Sequence, residues 1–199
     1  MSERRAILAV EDKLSEAVSI KILEDLGIGV SQSLGLRGKG YLQKKAQSLN
    51  QTAKGFPVFM LTDQDSPNQC PPQLIQSWVK GEQNPKFFLR VTVMEVESWI
   101  MADRRGFADF LSIPLDRIPQ DTDAIPQPKE FLVSLARLSK KTSLREEIVP
   151  KTGATSKVGP GYNSRLGEFV RINWNIGRAT SSSISLKRTL VRLGTFDAA

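Results

Sequence analysis

The sequence predicts an α/β fold in which a Rossmann-like parallel sheet is flanked by helices. Apolar runs of strand length recur at 6–10, 57–61 and 87–93, and helix-forming segments separate them. Continuous apolar runs are typical of strands covered on both faces, and strands that alternate with helices are typical of parallel sheets. After residue 95 the pattern becomes helical, so we expect a helical C-terminal extension.

Each element is justified by its own local pattern. The first helix is expected at 13–26, where Leu14, Val18, Ile22 and Leu26 form one stripe and Gly27 ends the helix. A short second strand at 28–30 leads into a glycine-rich loop at 35–40 and a helix at 41–49. The prolines at 71 and 72 suit the first turn of a helix through Trp78. Further helices are expected at 97–101, 107–111, 129–139, 163–172 and 184–193, with loops at 114–128 and 150–160.

We divide the chain into a sheet domain at 1–105 and a mostly helical, basic extension at 106–199 packed on it.

The composition excludes several classes of chemistry. The chain has no histidine and one cysteine, Cys70, which excludes His-based triads, zinc–His sites and an internal disulfide. The remaining metal ligands are oxygens, which favour hard cations. No apolar run approaches the ~18 residues of a membrane span, and the N-terminus does not resemble a secretory signal. We therefore expect a soluble cytoplasmic protein with no membrane contact.

Positive charge is concentrated in the C-terminal part. Residues 137–192 hold 12 Lys/Arg and 3 Asp/Glu, a net +9, whereas residues 1–136 hold 16 and 17, a net −1. A basic segment beside an acid-bearing sheet indicates a polyanionic partner, either DNA or RNA. A solvated, soluble surface is the alternative interpretation.

Acidic residues end the first and third apolar runs. Glu11 follows the first run, and Asp63 and Asp65 follow the third. Because the carboxyl ends of parallel strands meet at one edge, these carboxylates are expected to converge. Three carboxylates at one point repel one another unless a cation lies between them, so we predict a Mg²⁺ or Mn²⁺ site. Plain helix-capping and turn chemistry is the alternative.

Two further acids, Glu95 and Glu97, follow the fourth strand and could add a carboxylate to the same edge. Alternation along a strand places at most one of them clearly inward. Glu97 or Glu95 could complete a second metal position or act as a base, and Glu97 could instead cap the helix that follows.

Five basic residues are candidates for binding the nucleic-acid backbone. Arg37 and Lys39 lie in the glycine-rich loop, where backbone amides and cations suit a phosphate. The others flank the second predicted loop, namely Lys151, Lys157 and Arg165.

The acids resemble the pattern of the Toprim domain, which has an acid after strand one and Asp-x-Asp after strand three. The matching residues are Glu11 and the pair Asp63 and Asp65. The chain is similar to small Toprim-like bacterial proteins related to OLD-type nucleases, a resemblance carried also by residues 95–103 and 36–40. It departs from the usual Toprim pattern because Asp12 replaces a glycine and Ser15 replaces an acid.

The resemblance implies a metal-dependent nuclease that hydrolyses phosphodiester bonds with a partner ATPase in phage defence. Glu11, Asp63, Asp65 and Glu97 would be catalytic, with Glu95 as a further metal ligand. Other possibilities are a non-catalytic nucleic-acid-binding subunit, a receiver-like domain phosphorylated on Asp63, and a nuclease held inactive until its partner responds. The protein could also be a homo-oligomer.

Overall fold

The computed structural model describes residues 4–66, 68 and 70–196 and confirms the α/β fold. Four strands form one parallel sheet in the order β2-β1-β3-β4. The strands are β1 (Arg5–Val10), β2 (Gly29–Gly35), β3 (Val58–Asp63) and β4 (Phe87–Thr92). The connecting helices are α1 (Lys13–Asp25), α2 (Lys39–Thr52) and α3 (Pro71–Trp78).

Every regular element after β4 in the described part of the chain is helical, as the sequence predicts. The helices are α4 (Glu97–Ala102), α5 (Arg104–Leu111), α6 (Pro128–Arg137), α7 (Thr142–Ile148), α8 (Tyr162–Ile172), α9 (Ile176–Ala179) and α10 (Ile184–Leu193), with a 3-10 turn at Leu115–Arg117. None of the helices in the described ranges is long and apolar enough to span a membrane.

The sheet separates two apolar layers. Leu8 and Val10 of β1 face one layer with α1 and the helices that follow β4. Ala9, between them in sequence, faces the other layer with α2 and α3. This alternation is the period of a strand buried on both faces. The continuous apolar runs of β1 and β3 therefore reflect their central positions.

The helices after β4 share a core with the sheet. Phe169 of α8 belongs to the same apolar cluster as Leu8 and Phe59 of the sheet, and α8 packs against α1. Trp99 and Trp174 are both buried there, so they are core residues. The extension is thus continuous with the sheet's own core.

Three sequence-based assignments are wrong. β2 is longer than the predicted strand at 28–30 and includes Gly35. Its middle residues are polar because β2 is an edge strand with exposed side chains, so a search for apolar runs misses them. Two short helices, α7 and α9, were not predicted, because each buries only two side chains along its length.

Candidate active site

Glu11 and Asp63 are linked at the carboxyl edge of the sheet. Glu11 directly follows β1, and Asp63 is the last residue of the neighbouring β3. The Asp63 N–H donates to Glu11 Oε1 over 3.0 Å, and the Thr62 hydroxyl donates to the same oxygen. Burial raises the pKa of Glu11, and these two hydrogen bonds oppose the rise. The predicted convergence of these two strand ends is present.

Asp63 is a buried carboxylate at the centre of this edge. Its relative exposure is 6%, and its Oδ1 accepts a hydrogen bond of 2.6 Å from the hydroxyl of Thr92, its cross-strand neighbour in β4. Burial raises the pKa of Asp63 well above its usual range, and the charge of Glu97 adds to the rise. The site thus favours a proton or a cation at Asp63.

Glu97 brings a second buried carboxylate, at the start of α4. It is 1% exposed, and its Oε1 accepts a hydrogen bond of 2.9 Å from the Tyr162 hydroxyl. Its Oε2 is buried and has no hydrogen-bond partner among the described residues. Burial raises the pKa of Glu97. A buried oxygen left unsatisfied costs about 1–3 kcal/mol, so this atom marks the site as one built to receive a proton or a positive charge.

Lys129 is a functional candidate that the sequence did not indicate. Its Nζ lies 3.5 Å from Glu95 Oε1 and 3.7 Å from Glu97 Oε1, and its backbone N–H donates to Glu95 Oε2 over 2.8 Å. Burial alone would lower the pKa of Lys129, but Glu97 and Glu95 together raise it above its ordinary value. Lys129 is therefore a charged counter-ion to both acids. The local sequence indicates only that a helix starts at Pro128, directly before Lys129.

Asp65 is held by Lys39. The Lys39 Nζ lies 2.8 Å from Asp65 Oδ2 and also donates to the carbonyl oxygens of Asp63 and Gln64, over 2.7 and 3.0 Å. The Asp65 backbone has a positive φ of 60°, and its N–H donates to the Met94 carbonyl over 3.0 Å. The Asp65 side chain, 49% exposed, therefore lies at the solvent side of the edge, paired with a lysine.

A small cleft borders these acids. Its volume is about 180 Å³, and Asp65, Glu95 and Lys129 line it. Lys157 and Glu130 also line the cleft and form an exposed ion pair of 2.9 Å. Lys157 is thus one of the predicted backbone-binding residues that the structure brings to the acids, as Lys39 is.

The other three predicted basic residues have different surroundings. The Arg37 guanidinium lies 5.4 Å from the ring centroid of Tyr41. Lys151 lines a separate surface depression of about 460 Å³. Arg165 forms ion pairs, with Nη2 2.8 Å from Glu147 Oε1 and Nη1 3.2 Å from Glu168 Oε2.

Two acids near the predicted site have structural roles. Asp12 caps α1, and its Oδ1 accepts from the N–H groups of Leu14 and Ser15. Asp103 is fully buried and forms a two-bond ion pair with Arg178, each bond 2.7 Å long. Capping and burial account for both residues.

The residue types fit a hard divalent cation. The acids present only oxygen ligands, and the unpartnered Oε2 of Glu97 is available to an ion. In residues 4–66, 68 and 70–196 no three Asp, Glu, His or Cys side chains are grouped closely enough to hold a metal. The Mg²⁺ or Mn²⁺ site stays a prediction, and the positive charges that contact these acids in the described ranges are Lys39 and Lys129.

Comparisons with family models, curated proteins and solved structures each gave no match to this chain. The resemblance to Toprim domains therefore stays a prediction, carried by Glu11, Asp63 and Asp65 and by the shared edge at which they lie.

Proposed function

We propose that the protein is a metal-dependent nuclease of Toprim type that hydrolyses the phosphodiester bonds of nucleic acid. The observation that carries the proposal is the pair of buried carboxylates, Asp63 and Glu97, at the carboxyl edge of the sheet, with Glu97 Oε2 unpartnered. Two buried carboxylates repel each other and lose hydration. A divalent cation relieves both effects.

Glu11, Asp63 and Glu97 would hold the ion after their carboxylates draw together, because the described residues contain no ready-made group of three ligands. Asp65 would join them by exchanging Lys39 for the ion. When bound, the ion would supply an activated water and would offset the charge that develops on a transferring phosphate. Burial raises the pKa of Glu11, Asp63 and Glu97, so these acids favour a bound proton or cation.

The chain's own groups position the acids and the substrate. The hydroxyls of Thr62 and Thr92 orient the carboxylates of Glu11 and Asp63, and the Tyr162 hydroxyl orients Glu97. Lys157, at the cleft, supplies positive charge for a backbone phosphate. Glu95, less buried than Glu97, is the candidate base.

The proposed partner is an ATPase, and the proposed setting is phage defence. Both rest on the resemblance to OLD-related proteins. The 199 residues contain no P-loop motif, and the proposal assigns any coupling to ATP hydrolysis to the partner ATPase.

A non-catalytic nucleic-acid-binding subunit is the second candidate. Its supporting observation is that Lys39 and Lys129 already lie within ion-pairing distance of Asp65, Glu95 and Glu97. In that role the acids would need no metal, and binding to nucleic acid would persist in EDTA with a steep salt dependence.

The test is calorimetric titration of Mn²⁺ and Mg²⁺ into the wild type, Asp63→Asn and Glu97→Gln. The matched control is Asp116→Asn, which changes an exposed acid in the 3-10 turn. We expect binding in the wild type and control and its loss in both site variants. The same four proteins are then assayed for Mn²⁺-dependent cleavage of plasmid DNA and of RNA. Unaltered metal binding or surviving cleavage in Asp63→Asn contradicts the proposal.

A further inference from the structure

A groove runs along the exposed side of β4, between α3 and α10. We call it the β4 groove; its volume is about 340 Å³, and Ile75, Arg90, Val93 and Arg188 are among its lining residues. β4 is an edge strand of the sheet formed by the described residues. The groove is therefore bounded by two helices and the edge of the sheet.

The helix α10 runs antiparallel to β4. Near its start, Ser185 lines the groove together with Val93, which directly follows β4. Near its end, Arg192 donates to the carbonyl of Pro85, and its guanidinium lies 4.5 Å from the ring centroid of Phe88. Side chains about two turns apart on α10 thus lie near opposite ends of β4.

Three arginines converge on this side of the molecule. Arg90 projects from β4, and Arg188 and Arg192 lie one turn apart on α10. No carboxylate within the described ranges lies at ion-pairing distance from any of them. The Arg90 Nε donates to the Thr189 hydroxyl over 3.2 Å, which fixes the guanidinium without neutralising it.

These cations lie close enough to affect one another. Burial lowers the pKa of Arg90, and the charges of Arg192 and Arg188 lower it further. Elsewhere in this protein, Arg165 and Arg178 form ion pairs with acids. Arg90 and Arg188 therefore have unmet capacity for an anion, whereas Arg192 already donates to Thr195 and Pro85. A guanidinium fork matches a phosphate in geometry.

The groove begins beside the proposed active site. Met94, one residue after Val93, accepts a hydrogen bond from the Asp65 N–H. Cys70, at the other wall of the groove, precedes α3, which follows the Asp65 turn. The groove and the cleft beside the acids are therefore neighbours, because Val93 lines the groove and Met94 and Asp65 line the cleft.

We propose that the β4 groove binds the phosphodiester backbone of the nucleic-acid substrate, with Arg90 and Arg188 as positioning residues that contact backbone phosphates. Arg192 supplies positive charge at the far end. This inference rests on the proposed nuclease function, because the groove leads away from the acids of that site.

The test measures binding of a fluorescent single-stranded oligonucleotide of about 20 nucleotides, as DNA and as RNA. Fluorescence anisotropy is recorded in EDTA from about 50 to 200 mM salt. The variants are Arg188→Gln and Arg90→Gln, and the matched control is Arg105→Gln, which removes the same charge from an exposed site on α5. Arg188 is itself exposed, so its substitution tests the groove without endangering the fold.

We expect Arg188→Gln to weaken binding by about 3- to 10-fold and to reduce the slope of log K against log salt by about 0.7. Arg105→Gln should match the wild type. Affinity and slope in Arg188→Gln equal to those of the control would overturn the proposal. So would a finding that Arg188 is needed for binding poly-glutamate but not nucleic acid, because the ligand would then be an acidic protein.

The two proposals can fail separately because the binding assay contains no metal. Loss of cleavage in Asp63→Asn together with unchanged binding in Arg188→Gln overturns the groove and supports the nuclease. Arg188-dependent binding by a wild-type protein that cleaves nothing with Mn²⁺ overturns the nuclease and leaves the groove as a nucleic-acid-binding surface.

Discussion

Replacing Asp63 with asparagine should stabilise the protein at neutral pH while abolishing its proposed chemistry. Asp63 is 6% exposed, and burial together with the charge of Glu97 disfavours its ionised form. Asparagine has nearly the same shape, and its Oδ1 can still accept the hydrogen bond from Thr92. The substitution therefore removes a costly charge and keeps the packing.

The magnitude follows from the position of the charge. Each unit by which the folded protein raises a pKa corresponds to about 1.4 kcal/mol of differential stability, and single stabilising substitutions commonly give about 0.5–2 kcal/mol. We expect the free energy of unfolding to rise by about 1–2 kcal/mol. For a chain of this length that corresponds to an increase in Tm of about 2–8 °C.

The stability gained in Asp63→Asn must depend on pH, and the direction of this dependence follows from the raised pKa of Asp63. The folded protein raises the pKa of Asp63, so it holds this proton more tightly than the unfolded chain does. The stability that Asp63 contributes in the wild type is therefore fully present below its unfolded pKa of about 3.9. This contribution is lost as the pH rises through the higher folded pKa. The difference between Asp63→Asn and the wild type should be near zero in acid and grow toward neutral pH.

Thermal unfolding followed by circular dichroism, in EDTA and over a series of pH values, measures this difference. Asp116→Asn is again the control, because it removes an exposed charge. A lower Tm for Asp63→Asn at neutral pH, or a difference from the wild type that does not grow with pH, would refute the reasoning.

Two further predictions concern the neighbours of this site and its sheet. Lys129→Met should lower stability by about 1–2 kcal/mol, a value discounted for the partial exposure of the lysine, because it removes the ammonium beside the buried Glu97. It should also tighten Mn²⁺ binding in calorimetry; weaker binding would show that Lys129 does not compete with the ion. Gly35→Ala should cost more than about 2 kcal/mol in chemical denaturation, because φ is +114° and the new Cβ would lie 1.9 Å from the Val10 carbonyl oxygen. Gly40→Ala, which meets no atom within 4 Å, is its control and should be neutral or slightly stabilising.

The acids of the sheet could be predicted because local sequence determines their placement. Glu11 and Asp63 end apolar runs, and the parallel sheet brings such ends together. Glu97 is more buried than Glu95 because it begins α4. Strand alternation does not separate the two acids, since residues two apart share a face of a strand. The hydrogen bonds from Thr62 to Glu11 and from Thr92 to Asp63 could not be predicted without the strand register.

Lys129 and Tyr162 could not be predicted because they reach the site through packing of distant helices. Tyr162 contacts Glu97 across 65 positions of the chain, and Lys129 contacts Glu95 across 34. The short-range periodicity of the sequence does not indicate which elements α6 and α8 pack against. The distribution of charge along the sequence does not show which arginines form ion pairs. It does not distinguish Arg165, which pairs with Glu147, from Arg188.

The proposed active site is shared between the two parts of the chain. The sheet and the turn after β4 supply the acids, whereas α6 supplies the ammonium of Lys129 and α8 supplies the Tyr162 hydroxyl. The fragment 1–105 would retain Glu97 but lose both groups that contact its Oε1, and its buried carboxylate would be left without either partner. It would also expose the apolar face that α8 covers. The extension thus completes the site as well as the core, so the chemistry of the acids belongs to the intact chain rather than to the sheet domain alone.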